Sequence, residues 1–228
     1  MEKERSDACT GASRMISTRN LTALPDILTL RRLLQSLATL DAILSPDWES
    51  RYYSFNSKWA PGQQMGSMRD GSGDDWFALF KPEGAGIVGL AHEAPMFHPD
   101  EPWPGIFAGL PAELAELSSE AAFDPRNSTF CIWRRSGDAQ WRRGMVEFPP
   151  GDDPDGSAGL LAILDGDPRS YQQFTVEYYE VEVPIEPVAS VYAHHPLTDA
   201  LVRQLNSAVS LDDLAADLSE IDYPRKAG

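Results

Sequence analysis

The sequence is short of cysteine, of long apolar runs and of positive charge. Cys9 and Cys131 are the only cysteines in 228 residues. That is too few for a disulfide framework, so the fold must rest on a packed core. No apolar run approaches the roughly 18 to 20 residues that cross a bilayer, and no membrane association is expected. Lys and Arg number 19 against 35 Asp and Glu, a formal charge of −16. A surface this acidic repels phosphate backbones and argues against nucleic-acid binding. Residues 1–20 lack the apolar stretch of a secretory signal and mix charged with small polar side chains. They read as a disordered arm. The whole chain reads as cytoplasmic, with one domain over 21–228.

What is present fits an ordinary globular domain: 42% hydrophobic, 10% aromatic and 24% charged residues exclude collagen, coiled coil and wholesale disorder. Leu24 to Leu44 carries apolar stripes at helical spacing, with Pro25 suited to a first turn and Ser45-Pro46 as the stop. A face this wide is expected to pack across a sheet. Residues 51–91 alternate short apolar runs with turn residues at Ala60-Pro61-Gly62, Asp70-Gly71-Ser72-Gly73-Asp74 and Lys81-Pro82-Glu83-Gly84. That pattern predicts an antiparallel β-meander. The five prolines of residues 94–111 predict a long surface loop pinned by Trp103 and Phe107. Thr129–Arg134 and Trp141–Phe148 predict a hairpin. Residues 149–157 read as an exposed linker, and residues 158–223 turn helical, with Asp167-Pro168 and Ser210 to Asp213 as helix starts. The expected fold is α+β: a curved antiparallel sheet over residues 48–148, flanked by an N-terminal helix and a helical region over 158–223. Residues 144–228 hold 16 acidic and 4 basic side chains, so the helical part is the acidic half.

The search for chemistry returns no catalytic constellation. His92-Glu93 lacks the second histidine one helical turn on that a zinc hydrolase needs. Cys131 lies in an apolar strand, where an inert buried thiol is expected. No Gly-x-Ser-x-Gly elbow, Walker A sequence or dinucleotide fingerprint occurs. The Asp70 to Asp75 run has no glutamate at the twelfth position of a calcium loop. No metal or other cofactor is expected. Aromatic residues are the more informative signal, because Trp, Tyr and Arg dominate binding hot spots. Trp59, Trp76, Trp103, Trp133 and Trp141 are candidate anchors, with Arg134 in the one basic patch beside them.

Met65 to Glu93 resembles the core of the SMI1/KNR4, or SUKH, superfamily. The resemblance rests on Asp70-Gly71-Ser72-Gly73-Asp74, the apolar run Trp76 to Phe80, Glu83-Gly84, Ile87 to Leu90 and the pair His92-Glu93. It implies a curved antiparallel sheet flanked by helices. It also implies a binding role: many bacterial members are immunity proteins that neutralise a toxin, often a nuclease. Asp70, Asp74, His92 and Glu93 join the candidate binding residues on this ground. Three readings follow: a non-enzymatic protein-binding module whose partner is a basic toxin, an enzyme with a dispersed site at His92, Glu93 and Cys131, and a small-molecule binder with a sheet pocket lined by Trp59, Trp76 and Trp133. The first is the expectation.

Overall fold

The computed structural model describes residues 15–226 and shows an α+β fold. Helix α1 (Ile27–Leu44) begins three residues later than its apolar pattern. Its start is set by Asp26, whose carboxylate accepts from the Leu28 and Thr29 N–H groups and the Thr29 hydroxyl. Every residue from Leu33 to Ile43 is buried. The stripe is this wide because α1 is covered twice, by the sheet on one side and by the C-terminal helices on the other.

Strands β1 (Tyr53–Ala60), β2 (Gln63–Arg69), β3 (Asp75–Lys81), β4 (Gly84–Leu90), β5 (Phe130–Arg135) and β6 (Arg142–Arg143) form one open antiparallel sheet in chain order. The predicted meander and its turns are therefore present. The last hairpin is shorter than the sequence implies, since only Arg142 and Arg143 pair with β5. Both faces of the central strands are buried. Tyr53, Phe55, Trp76, Phe80, Ile87 and Ile132 join the core under α1. Phe77, Leu79, Val88, Cys131 and Trp133 join a second core with Leu114, Leu117 and Phe123 from short 3-10 turns over Ala112–Ser118 and Ala121–Phe123. Two-sided burial explains why Trp76 to Phe80 reads as an unbroken apolar run rather than an alternating one.

The acidic half supplies α2 (Ser157–Leu161), α3 (Pro168–Tyr178), α4 (Ile185–Tyr192), α5 (Asp199–Leu205) and α6 (Ala215–Ile221). Asp167 caps α3 as its sequence implies. Ser210 and Asp213 exchange hydrogen bonds ahead of α6, the reciprocal pattern of a capping box. The helix α4 lies within the expected helical region, though no cap or stripe marks its bounds in the sequence, and it packs on α1 and α3. No helix of the described residues is long and apolar enough to cross a membrane.

Three expectations need correction. Residues 1–14, including Cys9, lie outside the described residues, but 15–20 are not a loose arm. Ile16 is buried in the core, and the Thr18 hydroxyl donates to the buried Asp155 carboxylate. The exposed linker ends early for the same reason: Asp155 and Ser157 are buried, joined at 2.7 Å, and tie the N-terminal segment down. Asp153 instead receives the Ala158 and Gly159 N–H groups at the start of α2. Phe107 pins the proline-rich loop to the second core as expected, but the buried Met96 and Ile106 do so more than Trp103, which is partly exposed.

The same loop crosses the backbone after β6 at two glycines. Gly105 has φ +90°, and a Cβ there would overlap the Met145 carbonyl oxygen. A Cβ on Gly144 would overlap the Gly105 carbonyl oxygen and meet that of Ile106 at 2.5 Å. Backbone atoms cannot swing aside as side chains can. Gly105→Ala is expected to cost about 2–4 kcal/mol and Gly144→Ala about 1–3 kcal/mol, read by urea unfolding. Wild-type midpoints for both would refute the crossing.

Candidate functional site

Beyond the first turn of α1, the helix no longer covers the sheet. Gln64 pairs with Phe80, Phe80 with Ala85, and Ala85 with Arg134, so these four form one cross-strand row. Alternation places the row on the α1 side of the sheet, continuing the files Met68–Gly66–Gln64 and Phe130–Ile132–Arg134. Where apolar residues give way to Gln64 and Arg134 in those files, the core ends and a cleft opens.

The cleft has a volume of about 1020 Å³. Its walls are the start of α1, the β1–β2 hairpin tip from Ser57 to Gln64, the β3–β4 turn and the end of β5. Ile27, Leu28, Pro61, Pro82 and Phe80 make it apolar, with Leu28 50% exposed. Arg31, Lys58, Lys81 and Arg134 make it cationic. Asp26 is the one lining carboxylate, and it is already committed to capping α1. Hydrogen bonds from the Thr29 N–H and hydroxyl hold it below the usual aspartate range, with smaller help from Leu28 and Arg134. A protein of net charge −16 has thus gathered four cations around one opening.

The cations differ in their commitments. Lys81 pairs with Glu116 at 2.6 Å. Arg134 lines the cleft and donates its Nε–H to the Asp138 carbonyl at 2.9 Å, with no carboxylate in an ion pair with it among the described residues. Arg31 reaches Gln64 Oε1 through Nη1 at 3.4 Å, while its Nε is buried with no hydrogen-bond partner. Lys58 makes no ion pair among the described residues.

Of the residues singled out from sequence, only Trp59 and Arg134 line this cleft. The Trp59 ring stacks on Phe123, 6.0 Å between centroids, so it belongs largely to the second core. Trp76, Trp133 and Trp141 are not surface anchors: all three are buried. Trp76 donates to the Leu160 carbonyl and Trp141 to that of Pro25. Trp76 and Trp133 lie on opposite faces of the sheet, which removes the expected pocket between them and Trp59. Trp103 stacks on His98 and donates to the Glu147 carbonyl. The expected arginine patch is likewise divided, with Arg142 against Asp138, Arg135 against Glu113 and Arg143 over the Phe148 ring.

The residues of the SUKH-like stretch form a stitched turn. Asp70 Oδ1 accepts from the Ser72, Gly73 and Asp74 N–H groups. Asp74 Oδ1 accepts from the His92 backbone N–H at 2.8 Å and lies 2.6 Å from His92 Nδ1. The Asp74 hydrogen bond raises the His92 pKa. Glu93 is exposed, 4.0 Å from His92 Nε2. Cys131 is remote from this turn in the second core, where burial pushes its thiol far up and leaves no thiolate to attack. The dispersed His92, Glu93 and Cys131 site is therefore not assembled. Among the described residues, no group of three His, Cys, Asp or Glu side chains is arranged to hold a metal.

Sequence pattern does not reveal the cleft because its residues come from four separate segments between 26 and 136. The available signal was the change from apolar to Arg within one file of β5. No family model, no curated protein and no solved structure matches the chain.

Proposed function

We propose that this chain is a non-enzymatic binding module whose working surface is the cleft at the open end of the sheet, and that its occupant is anionic. The observation that carries this is the gathering of Arg31, Lys58, Lys81 and Arg134 around an apolar opening in a strongly acidic protein. Glu116 neutralises Lys81, but like charges without partners repel, so the rest of the cluster is retained at a cost unless an anion offsets it. The buried Nε of Arg31 lacks an acceptor, which adds to that cost. The lining offers grip and charge but no nucleophile held beside a base, which favours binding over turnover. The SUKH resemblance points to the same class of role.

Thermal shift against inorganic phosphate, citrate, dodecanoate and a short glutamate oligomer tests the reading. At least one anion is expected to raise the melting temperature in a saturable way. Lys58→Glu, an exposed change on the hairpin, should remove the shift while leaving the unliganded melting temperature near wild type. No shift with any anion, or an equal shift in Lys58→Glu, would sink it.

The basic-partner reading keeps one observation of its own. Trp48, Val176, Tyr178 and Val181 are exposed, the last three in the acidic half. A partner held there would be indifferent to Lys58→Glu.

A further inference from the structure

The placement of charge along the cleft says more about the occupant. Gln64 and Arg134 end the cross-strand row, three strand spacings or about 14 Å apart. Arg31 lies at the Gln64 end, 3.4 Å from its side chain, and Lys58 is on the adjoining hairpin. Phe80 lines the cleft between them, while Ala85, the other member of the row, is buried. Positive charge therefore stands at both ends of the row, with apolar surface in the middle. A compact anion reaches one end only.

Two further features concern the hairpin wall. Strand β1 is the first strand of the sheet, and its register with β2 lapses between Asn56 and Ala60. Ser57, Lys58 and Trp59 consequently have no register partner on β2, and all three line the cleft. Within it the Lys58 N–H is taken by Asn56 Oδ1 at 2.8 Å, so what this stretch offers an occupant is the Lys58 side chain. The volume of about 1020 Å³ also stands at the upper end of the few hundred to about 1,000 Å³ usual for small-molecule pockets.

We infer that the occupant is an extended acidic segment of a protein partner, with two carboxylates about four residues apart and an apolar side chain between them. Four residues of extended chain span about 13 Å, which matches the row. One carboxylate meets Arg31 and Lys58, the other meets Arg134, and the apolar residue lies over Phe80 beside Leu28. Asp26 opposes the Arg134 end in part, and Glu116 already neutralises Lys81. The segment must be short in charge, because the rest of the molecule repels a long polyanion. The cleft itself is built wholly from residues 26–136, outside the strongly acidic half.

This inference rests on the cleft reading, and the test separates the two. Fluorescence anisotropy would follow a labelled Gly-Glu-Ser-Leu-Ser-Glu-Gly peptide, a version with both Glu replaced by Lys, and a version with Leu replaced by Ser. The Glu peptide should bind at least tenfold more tightly than either control. Lys58→Glu and Arg134→Gln should each weaken it about tenfold, and Leu28→Ser severalfold, with thermal melts showing that each variant is folded. Equal binding of the Glu and Lys peptides, or indifference to both charge variants, overturns the inference. If citrate or dodecanoate binds in a Lys58-sensitive way and no peptide does, the cleft reading stands and the peptide falls. If neither class shows Lys58-sensitive binding, both fall.

Discussion

Asp41→Ala is expected to cost about 3–5 kcal/mol of folding stability. Asp41 lies in the last turn of α1 and is fully buried. Its Oδ2 accepts from the Tyr52 N–H at 2.9 Å, the Tyr53 N–H at 2.7 Å and the Tyr179 hydroxyl at 2.9 Å. Its Oδ1 accepts from the Tyr171 hydroxyl at 2.6 Å. One carboxylate thus joins α1 to the start of β1 and to α3. Alanine leaves two backbone and two phenolic donors without it. Asparagine keeps one oxygen for the backbone pair and the Tyr179 hydroxyl and turns its amide toward the Tyr171 hydroxyl, which can rotate to accept, so Asp41→Asn should cost less, about 1–2 kcal/mol at neutral pH.

The pH dependence separates this account from simple packing loss. Burial raises the Asp41 pKa from 3.8 to about 6 against the lowering effect of its four donors. The folded state therefore binds a proton that the unfolded chain has already released. The resulting stability is fully present below pH 3.8 and is lost as pH rises through about 6. Asp41→Asn has no such proton. Its deficit relative to wild type should shrink by up to about 3 kcal/mol between pH 4 and pH 7. Urea unfolding at four or five pH values measures this. A deficit that grows with pH would mean that the donors outweigh burial and that the carboxylate is held ionised. Asp75, pushed up to about 7 by burial and then by Asp124, changes wild-type stability in the same direction. It is present in both proteins, so it cancels in the difference.

Trp76→Ala should cost a similar amount, about 3–5 kcal/mol, and should leave cleft binding intact in whatever fraction remains folded. Trp76 is 0% exposed, packs 6.4 Å from the Tyr53 ring and donates to the Leu160 carbonyl at 3.2 Å. That bond ties the middle of the sheet to α2. Trp76→Phe keeps most of the apolar contact and loses the donor, for an expected cost of about 1–2 kcal/mol. The contrast with Lys58→Glu is the useful one: the hairpin variant should lose ligand and keep stability, the tryptophan variant the reverse. A Trp76→Ala protein as stable as wild type would return this residue to the surface role its composition first suggested.

The class of the fold and the order of its strands follow from local physics. Leu and Ile at helical spacing made α1 legible, and glycine and aspartate clusters marked the turns of the meander. Asp167-Pro168 and Ser210 to Asp213 announced their helices because a cap is satisfied within a few residues of itself. Tertiary structure alone decided which aromatic residues face water. Trp76, Trp133 and Trp59 look alike in sequence, yet the first two are buried on opposite faces of one sheet and the third stacks at a cleft's rim. It also decided that Asp41, one carboxylate in an apolar helix, would meet two tyrosines from more than a hundred residues away. The cleft belongs to the same category. Gln64, Phe80, Ala85 and Arg134 become one row only through strand register, and register is fixed by which faces the helix and the 3-10 turns cover.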